Sequence, residues 1–255
     1  MVEKWSVPIP QLTGKAPRTV YVYVPDIAEE DADTRFPVMY MFDGHNVFFD
    51  EDATYGKSWG MKEYLDAAPR KMMVVAVDCD HRPPHGRLSE YSPFTFTDSR
   101  FGRVYGKGGR FMNWLCGTLK PMIDERYPTI PDREATWIAG SSMGGLMSIF
   151  AAAAYNDVFS KAAALSPSVW ASHKRLCRLL RETSFAPGTT VYMDYGSREL
   201  RNHNDMLSMF TNVARILMEK GVYVTSRIVP NGDHCEACWE EQIPIFMDAL
   251  LYERH

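Results

Sequence analysis

Two kinds of apolar pattern take turns along the chain. Short runs rich in β-branched and aromatic residues occur at Thr19–Val24, Pro37–Phe42, Met72–Asp78, Ala135–Ala139, Ala162–Leu165, Thr189–Tyr195 and Val222–Val229, and they predict strands. Several are almost unbroken apolar, as in Met-Met-Val-Val-Ala-Val from Met72 to Val77. Strands with that pattern are covered on both faces, which is the situation in a parallel sheet. Between them, apolar residues recur at three- and four-residue steps. Phe111, Trp114, Leu115, Leu119, Met122 and Ile123 predict a helix over Arg110–Tyr127, and Met206, Phe210, Val213 and Leu217 predict another over Arg201–Lys220. Gly221 stands where a C-cap belongs. A last helix is expected at Trp239–Tyr252, with Pro244 in its first turns. Residues 3–24 predict an antiparallel opening pair, because the connection is too short for a crossover helix. No repeat and no linker-like stretch divides the chain, so residues 1–255 are read as one α/β domain: a mostly parallel central sheet of about eight strands with helices on both faces.

Composition narrows the classes of function. With 255 residues, 45% of them hydrophobic, 24% charged and a net charge of −4, the chain is an ordinary globular sequence without a basic run. No nucleic-acid partner and no membrane are expected. The start, Met1–Pro8, lacks the apolar stretch of a secretory signal, and no apolar run approaches the ~18 residues of a membrane span. Five cysteines (Cys79, Cys116, Cys177, Cys235 and Cys238) are an odd number, and reduced thiols in the cytoplasm are the expectation.

The chemistry concentrates after the strand Ala135–Ala139, in Gly140-Ser141-Ser142-Met143-Gly144-Gly145. Only Ser142 has Gly two residues before and two after, the G-x-S-x-G spacing of a nucleophile elbow. A nucleophile on a sharp strand-to-helix turn holds strained backbone angles, and a side chain at either flanking glycine would meet the neighbouring helix or strand. The following helix aims its N-terminal N–H groups at an oxyanion. Such elbows take an acid and then a histidine further along the chain. Of the four histidines that follow, His255 is terminal, while His173 and His203 stand near helix starts and are read as surface residues. His234, in the turn Asn231-Gly232-Asp233-His234 just past a strand end, is the expected base. The acid is expected near the end of Thr189–Tyr195, where Glu199, Asp194 and Asp205 are all within reach. Glu199, on the loop, is the most natural acceptor. The oxyanion hole is expected from the N–H of Met143 and an N–H of the loop Phe42–Asn46, at His45 or next Asn46, with Gly44 allowing the turn.

These motifs lie in blocks that resemble a known family. Tyr-Met-Phe-Asp-Gly-His-Asn from Tyr40 to Asn46, Glu-Tyr-Ser-Pro from Glu90 to Pro93, Leu119–Tyr127, Ile138–Gly145 and Phe159–Trp170 carry the likeness. They are continued by Gly196-x-x-Glu199 and Gly232-Asp-His234. The chain, over about residues 18–252, is similar to the putative-esterase branch of the α/β-hydrolases. That branch includes esterase D, enterochelin esterases, feruloyl and acetyl-xylan esterases and secreted mycolyltransferases. The resemblance implies an α/β-hydrolase fold and serine-ester hydrolysis by Ser142, Glu199 and His234, with Glu199 standing where many members carry Asp.

Expectations about the substrate are coarser. A small-molecule or carbohydrate ester is the expected partner, with an acyltransferase or a non-catalytic binding module as alternatives and a homo-oligomer left open. Among aromatic residues placed to line a cleft (Phe48, Phe49, Trp59, Tyr91, Trp170 and Trp239), Trp59 and Trp170, together with Asn46, are the substrate-binding candidates. No cofactor is expected and no metal: Cys235-Glu-Ala-Cys238 lacks the second ligand pair of a structural zinc site.

Overall fold

A computed structural model describes residues 1–26, 33–201 and 205–252. Its ten strands are β1 (Val2–Pro8), β2 (Pro17–Tyr23), β3 (Val38–Phe42), β4 (Met73–Val77), β5 (Phe96–Asp98), β6 (Gly102–Val104), β7 (Thr136–Ser141), β8 (Lys161–Leu165), β9 (Thr190–Gly196) and β10 (Tyr223–Val229). Eight of them form one sheet in the order β1-β2-β4-β3-β7-β8-β9-β10. The opening pair is antiparallel, with Val2 opposite Tyr23, and β2 is also antiparallel to β4. From β4 to β10 every neighbour is parallel. The predicted strands are found within one or two residues of their expected bounds. β5 and β6 form a separate two-stranded ribbon, too short to show a period in the sequence.

The unbroken apolar runs are explained by two cores. Tyr40, Phe42, Val75 and Val77 face one cluster, while Met39, Met41, Val74 and Ala76 face the other. This is the two-residue alternation of a strand with apolar side chains on both faces. The first cluster takes in the helices Met143–Ala154, His173–Glu182 and Met206–Glu219, and the second takes in Met61–Ala67 and Ile243–Leu251. The long helix expected at Arg110–Tyr127 is present from Gly108 to Arg126, but its middle turn, Leu115–Leu119, is a π-turn. Pro121 lies just beyond, and its missing N–H makes a wider turn cheap there. The last helix is split into Glu236–Glu240 and Ile243–Leu251, with Pro244 in the first turn of the second. Among the described residues no helix is long and apolar enough to cross a membrane.

The parallel strands end on one edge, and their loops meet there. Loops after β3, β4, β7 and β10, with Phe101 between β5 and β6, line a cleft of about 780 Å3. Ser142, His234, His45 and Asn46 all line it.

Candidate active site

β7 runs directly into the helix Met143–Ala154, and Ser142 is the residue between them. It holds φ 58° and ψ −119°, a region that costs a non-glycine residue roughly 1–3 kcal/mol. Its neighbours maintain the strain. The Ser142 N–H donates to Leu165 O at 2.9 Å, and Ser142 O accepts from Leu146 and Ser168 N–H groups at 3.0 and 2.9 Å. The flanking glycines are required by contact. A Cβ on Gly140 would lie 2.9 Å from the Gly144 carbonyl carbon, and one on Gly144 would lie 2.9 Å from Phe42 Cβ. The first-turn N–H of Met143 has no acceptor inside its helix.

The second candidate donor sits on the loop after β3. Here the left-handed step falls on Asp43 (φ 57°), not on Gly44. Gly44 is needed for a different reason than the turn expected from sequence: a Cβ there would lie 2.7 Å from the Ala76 carbonyl oxygen on β4. Asn46 is removed as a donor, because its N–H already serves Asp43 O at 2.8 Å. The His45 N–H has no acceptor among the described residues. The strained Asp43 is anchored from two sides that sequence reasoning missed. Its N–H donates to Tyr91 Oη at 3.1 Å, and Arg87 donates to both carboxylate oxygens at 2.6 and 2.7 Å. Tyr91 is in turn set by its neighbour Glu90, which takes two hydrogen bonds from buried Arg18. The Glu90–Pro93 block carried this signal, though without a role for it.

Position separates the three candidate acids. Nδ1–H of His234 donates to Glu199 Oε2 at 2.5 Å. The other carboxylate oxygen, Oε1, accepts from Ser166 Oγ at 2.7 Å and from the Gly196 N–H at 3.0 Å. Glu199 is only 2% exposed, so these three bonds carry its charge. Asp194 is buried too, but it points elsewhere: it accepts from the Ser166 N–H and from Tyr192 Oη. Burial pushes its carboxyl up to about 6. Asp205 stands exposed at the cap of the helix Met206–Glu219. Ser166 (φ 43°) also accepts from Trp239 Nε1 at 3.1 Å, and the Trp239 ring meets His234 edge-on at 5.0 Å. Ser166 and Trp239 therefore hold Glu199 and the His234 imidazole together, a role visible in neither residue's sequence context.

Two bare backbones let the loops after β9 and β10 meet. A Cβ on Gly196 would sit 2.4 Å from Gly232 O and 2.7 Å from Glu199 Oε1. The Arg198 N–H donates to Gly232 O across the same contact. Gly196→Ala is expected to push the acid loop off the base loop. A displacement near 1 Å costs about 100-fold in turnover, and overpacking costs about 1–3 kcal/mol of stability. Steady-state kinetics and thermal melting read the two effects separately, and wild-type turnover would contradict the arrangement.

Other expected site residues are placed as follows. Asn46 lines the cleft, donating to Glu236 Oε1 at 3.3 Å and accepting from the Thr54 N–H at 3.0 Å. Trp59 does not line it: the ring is 3% exposed and packs on Trp239 and Phe246 in the second core. An apolar ring next to a loop found a better place under the base helix than in water. Trp170 is half-buried, stacked on Phe101 at 6.4 Å and edge-on to Phe96 at 5.7 Å. Phe101, from the β5–β6 ribbon, is the member of this group that lines the cleft. Phe48 and Tyr91 are core residues, whereas Trp239 reaches the cleft. His173 opens its helix beside Cys177 and Asn212, remote in sequence from the cleft loops. His203 and His255 lie outside the described residues. Cys235 caps the helix Glu236–Glu240, and Cys238 Sγ accepts from the Asp233 N–H at 3.3 Å.

Residues 13–247 match the family described as Putative esterase. The chain belongs to this family. It is a carboxylic ester hydrolase of the α/β-hydrolase fold. A curated relative is the uncharacterized protein YbbA of Bacillus subtilis (strain 168), 27% identical over 211 residues that make up 80% of this chain and 79% of the relative. Among solved structures, the BES protein from Bacillus cereus superposes with a TM-score of 0.74 at 16% identity, covering 99% of this chain and 95% of that one. The IroE-like serine hydrolase from Shewanella oneidensis gives 0.72 at 18% identity, over 98% and 78%. At these identities the structures speak for the fold alone.

One further group of ligand-type side chains converges on the cleft edge and was not read from the sequence. His45, Asp78, Cys79 and His81 bring their ligand atoms within 4.8 Å of one another.

Proposed function

We propose that this esterase works through a serine nucleophile, with Ser142 attacking, His234 as base and acid, and Glu199 orienting the imidazole. The observation that carries the reading is the His234–Glu199 bond on the cleft that also exposes the strained Ser142. With Nδ1–H committed to Glu199, the other ring nitrogen, Nε2, bears the lone pair a general base needs. Ser142 Oγ forms a bond to the ester carbonyl carbon while its proton passes to Nε2. The oxyanion takes N–H bonds from Met143 and His45. Collapse breaks the ester C–O bond, and the imidazolium returns the proton to the departing alcohol. Water then bonds to the acyl carbon as its proton passes to Nε2, and collapse breaks the acyl–Oγ bond while the imidazolium returns the proton to Ser142 Oγ.

Among the described residues Ser142 and His234 share no hydrogen bond; Ser142 Oγ lies 3.5 Å from Ser168 Oγ. Catalytic bonds of this kind tighten when substrate arrives. The size of the cleft supports an acyl group larger than acetyl. Tyr55, Phe101 and Trp239 on its wall favour an aromatic acyl group, and Arg82, His81 and His85 favour a hydroxyl-rich alcohol such as a sugar. The serine hydrolase name of the Shewanella structure is consistent with this mechanism.

Incubation with a fluorophosphonate probe should label one residue, Ser142, with phosphonylation located by peptide mass spectrometry. Feruloyl esters should exceed butyryl and acetyl esters in kcat/KM on a panel that includes a trilactone. An unlabelled Ser142 in protein that still hydrolyses the panel would remove the serine mechanism.

A further inference from the structure

The register of the sheet brings together a second set of chemical groups. β3 and β4 are parallel with Phe42 opposite Val77. His45, three residues past Phe42, therefore meets Asp78, Cys79 and His81 at the end of β4. His45 is 7% exposed, and its Nδ1 is a buried nitrogen without a hydrogen bond among the described residues. Asp78 Oδ1 stands 2.6 Å from it, a charge contact without hydrogen-bond geometry. The opposite ring nitrogen, Nε2, faces Thr54 Oγ1 at 2.9 Å. In the tautomer whose Nε2–H donates to that hydroxyl, Nδ1 presents its lone pair beside the Asp78 carboxylate, a pair of donor atoms that a cation can bridge. His81 adds an imidazole whose Nε2 is 2.9 Å from Asp78 Oδ1, and Cys79 Sγ lies 3.9 Å from the same ring.

We propose that His45 Nδ1, Asp78, Cys79 and the His81 imidazole form a zinc-binding site on the wall of the cleft. Two imidazoles, a carboxylate and a thiolate are a zinc donor set. The carboxylate and thiolate neutralise the doubly charged ion, which suits a site with one exposed and three largely buried ligands. Binding forms the four metal–ligand bonds and breaks the Cys79 S–H bond, releasing one proton to solvent. Tetrahedral ligand atoms stand about 3.4–3.7 Å apart around zinc, so the Asp78 oxygen, 2.6 and 2.9 Å from the two imidazoles, must draw back by under about an ångström while the wider pairs, spread over up to 4.8 Å, close by about as much. The His81 side chain, 58% exposed, and the half-buried Asp78 carboxylate are the members with room to adjust. His45, Cys79 and His81 all line the cleft, so an ion enters from solvent. Bound zinc would tie the loop carrying the His45 N–H to the end of β4. It takes no step in ester cleavage.

The full-length protein, stripped with a chelator and titrated with Co2+ and then Zn2+, provides the test. One ion per chain is expected by equilibrium dialysis, with a thiolate-to-cobalt band in the near ultraviolet. Cys79→Ser should remove the band. His81→Ala, at an exposed position, should weaken zinc at least about 10-fold. Thr54→Val should weaken it about 10- to 100-fold by releasing the His45 tautomer. The double variant Cys235→Ser/Cys238→Ser should retain both band and affinity. No retained ion in well-folded protein would overturn the site, as would a band that survives Cys79→Ser or is lost with the Cys235/Cys238 pair.

Discussion

Replacing Ser142 by Ala is expected to lower kcat on a p-nitrophenyl ester by about 10^4- to 10^6-fold. Removing the nucleophile of a serine–histidine–acid unit costs about as much as removing the whole unit. The fold should barely register the loss. Among the described residues Ser142 Oγ has one hydrogen-bond partner, Ser168 Oγ at 3.5 Å, and the backbone bonds that hold φ 58° are untouched by the substitution. A melting temperature within about 2 °C of wild type follows from a change near ±0.5 kcal/mol. Ser142→Gly is the informative companion. It should be equally inactive but more stable by about 1 kcal/mol, because glycine accepts the positive φ that serine endures. Activity retained in Ser142→Ala would sink the nucleophile assignment. Instability in both variants would show that the hydroxyl is structural.

Glu199→Gln is expected to cost about 10^3- to 10^4-fold in kcat, and Asp194→Asn less than about 10-fold. An amide at 199 offers the imidazole no charge and permits the wrong tautomer, the effect seen when a triad carboxylate becomes an amide. Asp194 has no contact with His234, so its neutralisation acts on stability. Because burial raises its folded-state carboxyl to about 6 from 3.8, the contribution of Asp194 is present below about pH 4 and is lost as pH rises through 6. Asn at 194 keeps an acceptor for the Ser166 N–H and removes that dependence. Over pH 4–7 the variant should therefore gain on wild type by up to about 3 kcal/mol. Chemical denaturation across this range, beside steady-state kinetics, distinguishes the two acids. A large kinetic loss at 194 with little at 199 would reverse their roles.

Much of the fold was legible in one dimension. The strands announced themselves because a sheet covered on both faces leaves no polar side of the strand to interrupt the run, as in Met72–Val77. Ser142 was legible because an elbow so tight that Cβ atoms are excluded at Gly140 and Gly144 must write glycine at fixed spacing. His234 was singled out as the candidate base by chain order and by its place past a strand end. The β5–β6 ribbon was not legible, since three-residue strands have no period to detect.

The remaining site residues depend on which loops meet. Glu199, Asp194 and Asp205 stand within twelve positions of one another, and nothing local separates them; the contact of Gly196 with Gly232 does. Trp59 has the composition of a cleft residue and the burial of a core one. Ser166, Trp239, Arg87 and Tyr91 act on groups dozens of residues away, so their roles appear only when strands are ordered. His45 and Asp78 are 33 positions apart and become neighbours through the register of β3 on β4. Local steric and periodic constraints act over a few residues and leave their mark in the sequence. Hydrogen-bond partnership and ligand convergence are set by strand order and register, long-range quantities that a linear pattern does not carry.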